Sequence, residues 1–316
     1  MLGRGSSPAH HGEALQGVFE DSDGCLVRAL VTLPCGGFGS EARFESGPGD
    51  LTVEPVDRSK ARRAALRTMR HLGHARGASG ECGGRLSVSG SVPFGWGMGS
   101  STSDVVASIR AVADSSGEEL APEAIARLAV EAEGASDPVM FGDRALLFAH
   151  REGRIVEDLG GTLPPLEVVG VFCSPDSNGT VETLDLPGPC YGRREITAFA
   201  ALLRLLRRAV RERNARLVGE VASASARINQ RHLPKPGFER LMEVACQTGA
   251  LGLNVAHSGC VAGLLFDPGD PAAEYRAEEA RRLLARLRLK SWRFNTGDPK
   301  QSPPSDKTCL EFWRGA

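Results

Sequence analysis

Net charge, lysine, paired cysteines and long apolar runs are what this chain has least of, and each shortage excludes something. With 38 basic and 39 acidic residues the formal net charge is −1, so the electrostatic footprint of a nucleic-acid-coating protein is missing. No nucleic-acid partner is expected. Lys60, Lys235, Lys290, Lys300 and Lys307 are the only lysines; the remaining positive charge is arginine, a bias to which we attach no function. The basic runs Arg58–Arg70 and Arg204–Arg213 are interleaved at helical spacing by Leu66, Met69, Leu205, Leu206 and Val210, which reads as solvated helix faces. The eight cysteines include no C-x-x-C pair and follow no secretory leader, which predicts a reduced, cytoplasmic protein. No apolar run approaches the roughly 20 residues that span a bilayer, so no membrane partner is expected either.

What remains is an ordinary globular composition, 41% hydrophobic and 24% charged over 316 residues, long enough for two domains with their own cores. His71 and His74 are three apart on one expected helix, but no further ligand is near in sequence, and structural zinc wants four. No internal repeat is visible.

Period-two and β-branched stretches predict strands over Ala14–Glu20, Cys25–Leu33 and Leu51–Val56, then a basic helix over about Arg58–Leu72. A strand over Arg85–Val92, a helix led by Val105, Val106, Ile109 and Val112, a helix from Pro122 to Glu133, and paired strands at Ala145–Ala149 and Arg154–Val156 follow. Gly160-Gly-Thr-Leu-Pro-Pro165 is the expected linker, dividing the chain into 1–163 and 164–316. Beyond it the order is strand (Leu166–Phe172), three helical stretches within Arg193–Thr248, strands Leu251–Ala256 and Cys260–Phe266, helix Ala272–Leu289 and strand Ser291–Phe294. That order suits a split βαβ or ferredoxin-like layer. Gly297–Asp306 reads as an exposed tail.

The junction Pro93-Phe94-Gly95-Trp96-Gly97-Met98-Gly99-Ser100-Ser101-Thr102-Ser103 carries the chemistry. Alternate glycines let main-chain N–H groups converge on an anion, and the helix beginning at the serines adds unpaired N–H groups and its dipole. A Walker loop would need Lys after its last Gly, a dinucleotide fingerprint would need Gly at Ser100, and no G-x-S-x-G elbow occurs anywhere. A flexible turn with a serine cap is the bland alternative. Taken alone, the junction is an anion cradle without an owner.

Two more segments give it one: Ser7-Pro-Ala-His-His-Gly-Glu-Ala-Leu-Gln-Gly17 near the start and Gly252-Leu-Asn-Val-Ala-His-Ser-Gly-Cys-Val-Ala-Gly-Leu-Leu-Phe266 near the end. In order and spacing the three resemble the GHMP kinases, with their early P…GE segment, central P-x-x-G-x-G-S-S loop and late small-residue loop. Within that family the L-threonine kinases of cobalamin side-chain synthesis are most similar, through P-A-x-x-G-E-x-x-Q-G at Pro8–Gly17 and A-H-S-G at Ala256–Gly259. Glu131-Ala-Glu-Gly-Ala-Ser-Asp137 resembles their E-x-E-P-T-D with one extra residue, and His11 stands where they usually have Cys.

The resemblance implies an α+β, two-domain GHMP kinase fold, with a ribosomal-protein-S5-domain-2-like N-terminal domain and a ferredoxin-like C-terminal one. It implies an ATP- and Mg²⁺-dependent kinase for a small hydroxylated substrate, L-threonine or a related β-hydroxy amino acid, and it leaves a homodimer open. Pro93, Gly95, Gly97, Met98, Gly99, Ser100, Ser101 and Ser103 would bind the nucleotide. Ser101 with Glu133 or Glu131 would hold Mg²⁺, only one of the two glutamates because alternate positions cannot share a helix face. Asp137 would orient or deprotonate the acceptor hydroxyl, although Asp-Pro is also a common turn. Glu13, Gln16, His11, His257, Ser258 and Gly259 would contact the acceptor. The departure at His11 keeps a specialised-metabolite acceptor in view, such as an amino-acid-bearing nucleoside, and the inexact acidic segment keeps a non-catalytic nucleotide sensor.

Overall fold

A computed structural model describes residues 1–73, 82–92, 96–173 and 190–297. Pro93, Gly95, His74 and the expected tail beyond Gly297 lie outside those residues. The chain opens on two long strands, β1 (Leu2–Glu20) and β2 (Leu26–Pro48), followed by β3 (Leu51–Glu54), α1 (Ser59–His71) and β4 (Cys82–Gly90). Then come α2 (Ser100–Ser115), α3 (Pro122–Glu133), a 3-10 turn (Pro138–Phe141), β5 (Arg144–Ala149) and β6 (Arg154–Thr162). The second half is β7 (Glu167–Phe172), α4 (Arg193–Glu212), α5 (Ala215–Asn229), α6 (Phe238–Thr248), β8 (Gly252–Val255), β9 (Val261–Phe266), α7 (Ala273–Arg286) and β10 (Ser291–Asn295).

The strands form one sheet in the order β10-β7-β9-β8-β1-β2-β4-β3, with β5 added to β2 and β6 to β5. The later four strands stand fourth, first, third, second, all antiparallel, the ferredoxin-like arrangement expected from their order. The two halves of the sheet meet at a single bridge, Glu13 opposite Val255. That seam sets the site, because it brings the early and late motifs side by side.

β1 begins at Leu2, well before the expected Ala14, and the reason is irregularity that the strand absorbs. Its pairing with β2 slips between Pro8 and Ala9, between His10 and Glu13, and between Glu13 and Leu15. Gly12 takes φ +61° at the middle slip, a backbone conformation glycine adopts without steric cost. The bulge changes which side chains share a face: strict alternation would set His10 and Glu13 on opposite sides. Gly160–Thr162 belong to β6, so only residues 163–166 join the halves.

α2 is buried nearly all round, which fits its seat between the sheet and α1 and α3. α3 starts with Pro122 at its first turn and stops at Gly134, φ +84°, the proline-in, glycine-out asymmetry of helix ends. An apolar cluster crosses the seam, joining Leu15, Val31 and Met98 to Val168, Phe199 and Trp292.

Candidate active site

Three main-chain and hydroxyl contacts knit the motifs together. The His10 N–H donates to the Met98 carbonyl at 3.3 Å and the Cys260 N–H to the Trp96 carbonyl at 3.1 Å. Ser103 Oγ–H donates to the Pro8 carbonyl at 2.8 Å. The glycine loop is therefore moored to β1 on one side and to the β8–β9 turn on the other. At its end Gly99 has φ +71°, and a Cβ there would lie 2.4 Å from His10 Cδ2. This glycine makes room for a histidine.

α2 then presents its first turn to two carboxylates. Ser101 Oγ–H donates to Glu133 Oε2 at 2.7 Å. Thr102 Oγ1–H reaches Glu133 Oε1 at 2.9 Å and Asp137 Oδ2 at 3.3 Å. Glu133 is buried at the end of α3, and burial, only partly offset by the Ser101 hydroxyl, pushes its carboxyl up to about 7. Glu131, two residues earlier, points elsewhere: it is exposed and pairs with Arg67 at 2.8 Å. A hydroxyl and a carboxylate at the mouth of a helix are hard oxygen donors of the kind Mg²⁺ takes together with phosphate oxygens, and the pair Ser101–Glu133 fits that ion.

Asp137 sits where α3 has ended and the 3-10 turn begins. His10 Nε2 lies 2.8 Å from Asp137 Oδ2, with both side chains buried. Burial alone would lower His10 and raise Asp137. The ion pair outweighs it in both, holding the carboxylate well below the usual range and lifting the imidazole to about 9. His10 is thus a cation at neutral pH. Glu13 follows at the bulge, with Oε1 2.9 Å from His257 Nδ1 and 4.0 Å from His10 Nδ1. His150 closes the group, its ring 5.3 Å from that of His257; burial, then the neighbouring His257 charge, lower it to about 3.

The unpaired atoms are the informative ones. Asp137 Oδ1, Glu13 Oε2, Ser136 Oγ and His150 Nδ1 are buried without a hydrogen-bond partner, although buried polar atoms are normally satisfied. They are what a polar ligand would satisfy. A cavity of about 730 Å³ nearby is lined by His10, Pro138 and Val139 but by neither Asp137 nor Glu133, so the carboxylates, not the volume, locate the chemistry.

Several expected contacts have other partners. His11 is fully buried on the far face of β1, against Trp292 and Phe294 at 5.6 and 5.0 Å between ring centres. Met98 is fully buried in the core, and Ser103 is spent on Pro8. Gln16 is buried, its main chain bonded to Ser225 and Asn229 of α5. The Gly259 carbonyl accepts from Lys235 Nζ at 2.7 Å. Sequence reasoning overlooked His10, Thr102, His150 and Lys235; for His10 the signal was present, a second histidine inside the early motif.

Comparison with known proteins shows the family. The family model for the N-terminal domain of GHMP kinases matches residues 59–143. An L-threonine kinase of Salmonella typhimurium is 30% identical over 264 residues, 82% of this chain and 81% of that protein. The chain belongs to the GHMP kinases. Another L-threonine kinase, from Citrobacter freundii, is 28% identical over 85% of this chain and 88% of its own length. Homoserine kinase from Cytophaga hutchinsonii shares the fold with a TM-score of 0.69 at 16% identity, covering 93% of this chain and 94% of that one. Mevalonate kinase from L. major in complex with R-mevalonate does so with a TM-score of 0.65 at 16% identity, covering 93% and 95%. As a GHMP kinase the protein is an ATP-dependent phosphotransferase. Among the described residues no helix is long and apolar enough to cross a membrane.

Proposed function

We propose that this GHMP kinase transfers the γ-phosphoryl group of ATP to the side-chain hydroxyl of L-threonine or a closely related β-hydroxy amino acid, in the cytoplasm. The observation that carries the reading is Asp137: one carboxylate oxygen is held by His10 and Thr102, and the other, Oδ1, is buried and unpaired. An acceptor hydroxyl donating to Oδ1 is oriented with its lone pairs free for the phosphorus. As the new O–P bond forms and the bond to the β-phosphate oxygen breaks, the hydroxyl proton passes to Asp137 and ADP leaves. Because His10 keeps Asp137 strongly acidic, that carboxylate is a weak base, and the proton moves late, when phosphorylation has already acidified the hydroxyl.

The loop from Trp96 to Ser101 supports the triphosphate with main-chain N–H groups, and Ser101 and Glu133 would hold Mg²⁺, which when bound neutralises charge on the phosphate oxygens. Glu13 Oε2 suits the acceptor's ammonium group. The two relatives named L-threonine kinases support the choice of acceptor. His11, whose departure from the threonine-kinase pattern argued for another acceptor, faces the core and so bears on packing instead. The sensor alternative loses ground for a related reason, since the metal and acceptor carboxylates both stand beside the loop.

Incubation with Mg·ATP and a panel of hydroxy amino acids, read by ADP release and by mass spectrometry of the product, should give O-phosphothreonine. Tight ATP binding with no phosphorylated product from any member of the panel would refute the reading.

A further inference from the structure

Arg28 and Arg151 are partly buried cations that the phosphoryl-transfer centre does not use. Leu30 of β2 pairs with Phe148 of β5. β5 ends at Ala149 and turns at once through His150 and Arg151; because the two strands run antiparallel, that turn lies toward the end of β2 that carries Arg28, whose charge is felt at His150. Burial and then the Arg28 charge pull the Arg151 guanidinium below its ordinary value, so the two cations feel each other. Arg154 close by is answered by Asp21 at 2.5 Å. Among the described residues no ion pair engages Arg28 or Arg151, and the Arg151 Nε–H is buried without an acceptor. His150, 8% exposed, also has Nδ1 unpaired.

This group borders the reaction centre. The Ser136 N–H, one residue before Asp137, donates to the His150 carbonyl at 2.8 Å, and His150 stands against His257, the partner of Glu13. We propose that Arg28, Arg151 and His150 form the site for the acceptor's carboxylate, an inference that rests on the hydroxy amino acid reading. A β-hydroxy amino acid carries hydroxyl, ammonium and carboxylate on adjacent carbons. With the first assigned to Asp137 and the second to Glu13, the third is left for the arginines. A guanidinium fork matches a carboxylate in two parallel hydrogen bonds, and an anion between two like charges removes the repulsion that burial makes costly. Gln16, expected from sequence to contact the acceptor, gives way to these cations.

The test pairs L-threonine with L-threoninamide, which keeps the hydroxyl and amine and loses the negative charge. Wild-type protein should show a KM for the amide at least 30-fold above that for threonine. Arg28→Gln and Arg151→Gln should each raise the threonine KM by 10- to 100-fold with kcat changed less than threefold and the ATP KM unaffected, and the double variant should lose the preference for the acid. An acid-over-amide preference that survives in the double variant overturns the proposal and leaves the kinase reading standing. If no hydroxy amino acid is turned over, the kinase reading fails, and phenylglyoxal labelling mapped by peptide mass spectrometry decides the site without catalysis. Protection of Arg28 and Arg151 by millimolar L-threonine or 3-hydroxybutyrate, and not by threoninamide, supports the anion site; equal labelling with and without every carboxylate overturns it.

Discussion

His10 and His11 are neighbours on one strand with opposite lives. His10 faces the reaction centre, 2.8 Å from Asp137, and its imidazole is lifted to about 9. His11 faces the aromatic core, with both ring nitrogens unpaired, and burial drives it down to about 3. The chemistry of the side chain is the same, and the pleat of β1 alone decides which becomes a working cation and which a neutral filler. A charge is tolerated in a buried place when another charge meets it, and is expelled when only hydrocarbon and rings do.

The sharpest way to break that contrast is to remove what His10 faces. Asp137→Asn keeps the size and the contact with His10 but loses the acceptor of the substrate proton, so kcat should fall about 10²- to 10⁴-fold while the far-ultraviolet spectrum and the ATP affinity stay near wild type. A steady-state rate within threefold of wild type would remove Asp137 from the reaction. Next in size is the comparison of the two glutamates of α3. Glu133→Gln should raise the Mg²⁺ concentration for half-maximal rate by about tenfold or more, whereas Glu131→Gln, which loses only an exposed pair with Arg67, should change stability by less than about 1 kcal/mol and leave the Mg²⁺ dependence alone. Equal effects of the two would show that Ser101–Glu133 is not the metal site.

His10→Gln comes third. The variant keeps a donor toward Asp137 and loses the cation, so Asp137 becomes more basic and the geometry is held by a weaker contact. Turnover should fall about tenfold. The stability arm has a defined sign: a histidine whose folded value is raised from 6.5 to about 9 stabilises fully below pH 6.5 and loses that contribution as pH rises through 9. Melting curves should therefore separate wild type from His10→Gln most at pH 6 and least near pH 10. Curves that run parallel across that range would mean that the pair is not ionic.

Much of this was legible from the residues themselves, and the gaps have physical causes. The α+β order, α3 from Pro122 to Glu133, and the loop into α2 follow from periodicity, proline and glycine. β1 and β2 were read too short because Pro8, Gly12, Pro34 and the glycines 36, 37 and 39 look like breaks, whereas the sheet absorbs them as bulges and register shifts. The same bulge hid His10. A period of two counted from Glu13 assigns it to the wrong face, and only a three-dimensional pairing puts it beside a residue 127 positions later. His150 and Lys235 had no local signal at all, since each matters through a partner from another segment.

The smallest effect on activity belongs to His11, and it completes the comparison. His11→Leu fills a similar volume against Trp292 and Phe294 and removes two buried nitrogens that no hydrogen bond satisfies, a change that is neutral or stabilising when the site packs well. Turnover should remain within twofold of wild type. Because the folded His11 value lies at about 3 while the unfolded one is near 6.5, the unfolded chain binds an extra proton as pH falls below 6.5, and wild type loses stability over that window. The leucine variant has no such proton to bind. Its melting temperature should therefore gain on wild type as pH falls from 7 to 5, by a few degrees for about 2 kcal/mol, the opposite slope to His10→Gln. A turnover loss as large as that of His10→Gln would place His11 on the acceptor side of the strand and undo the assignment of faces.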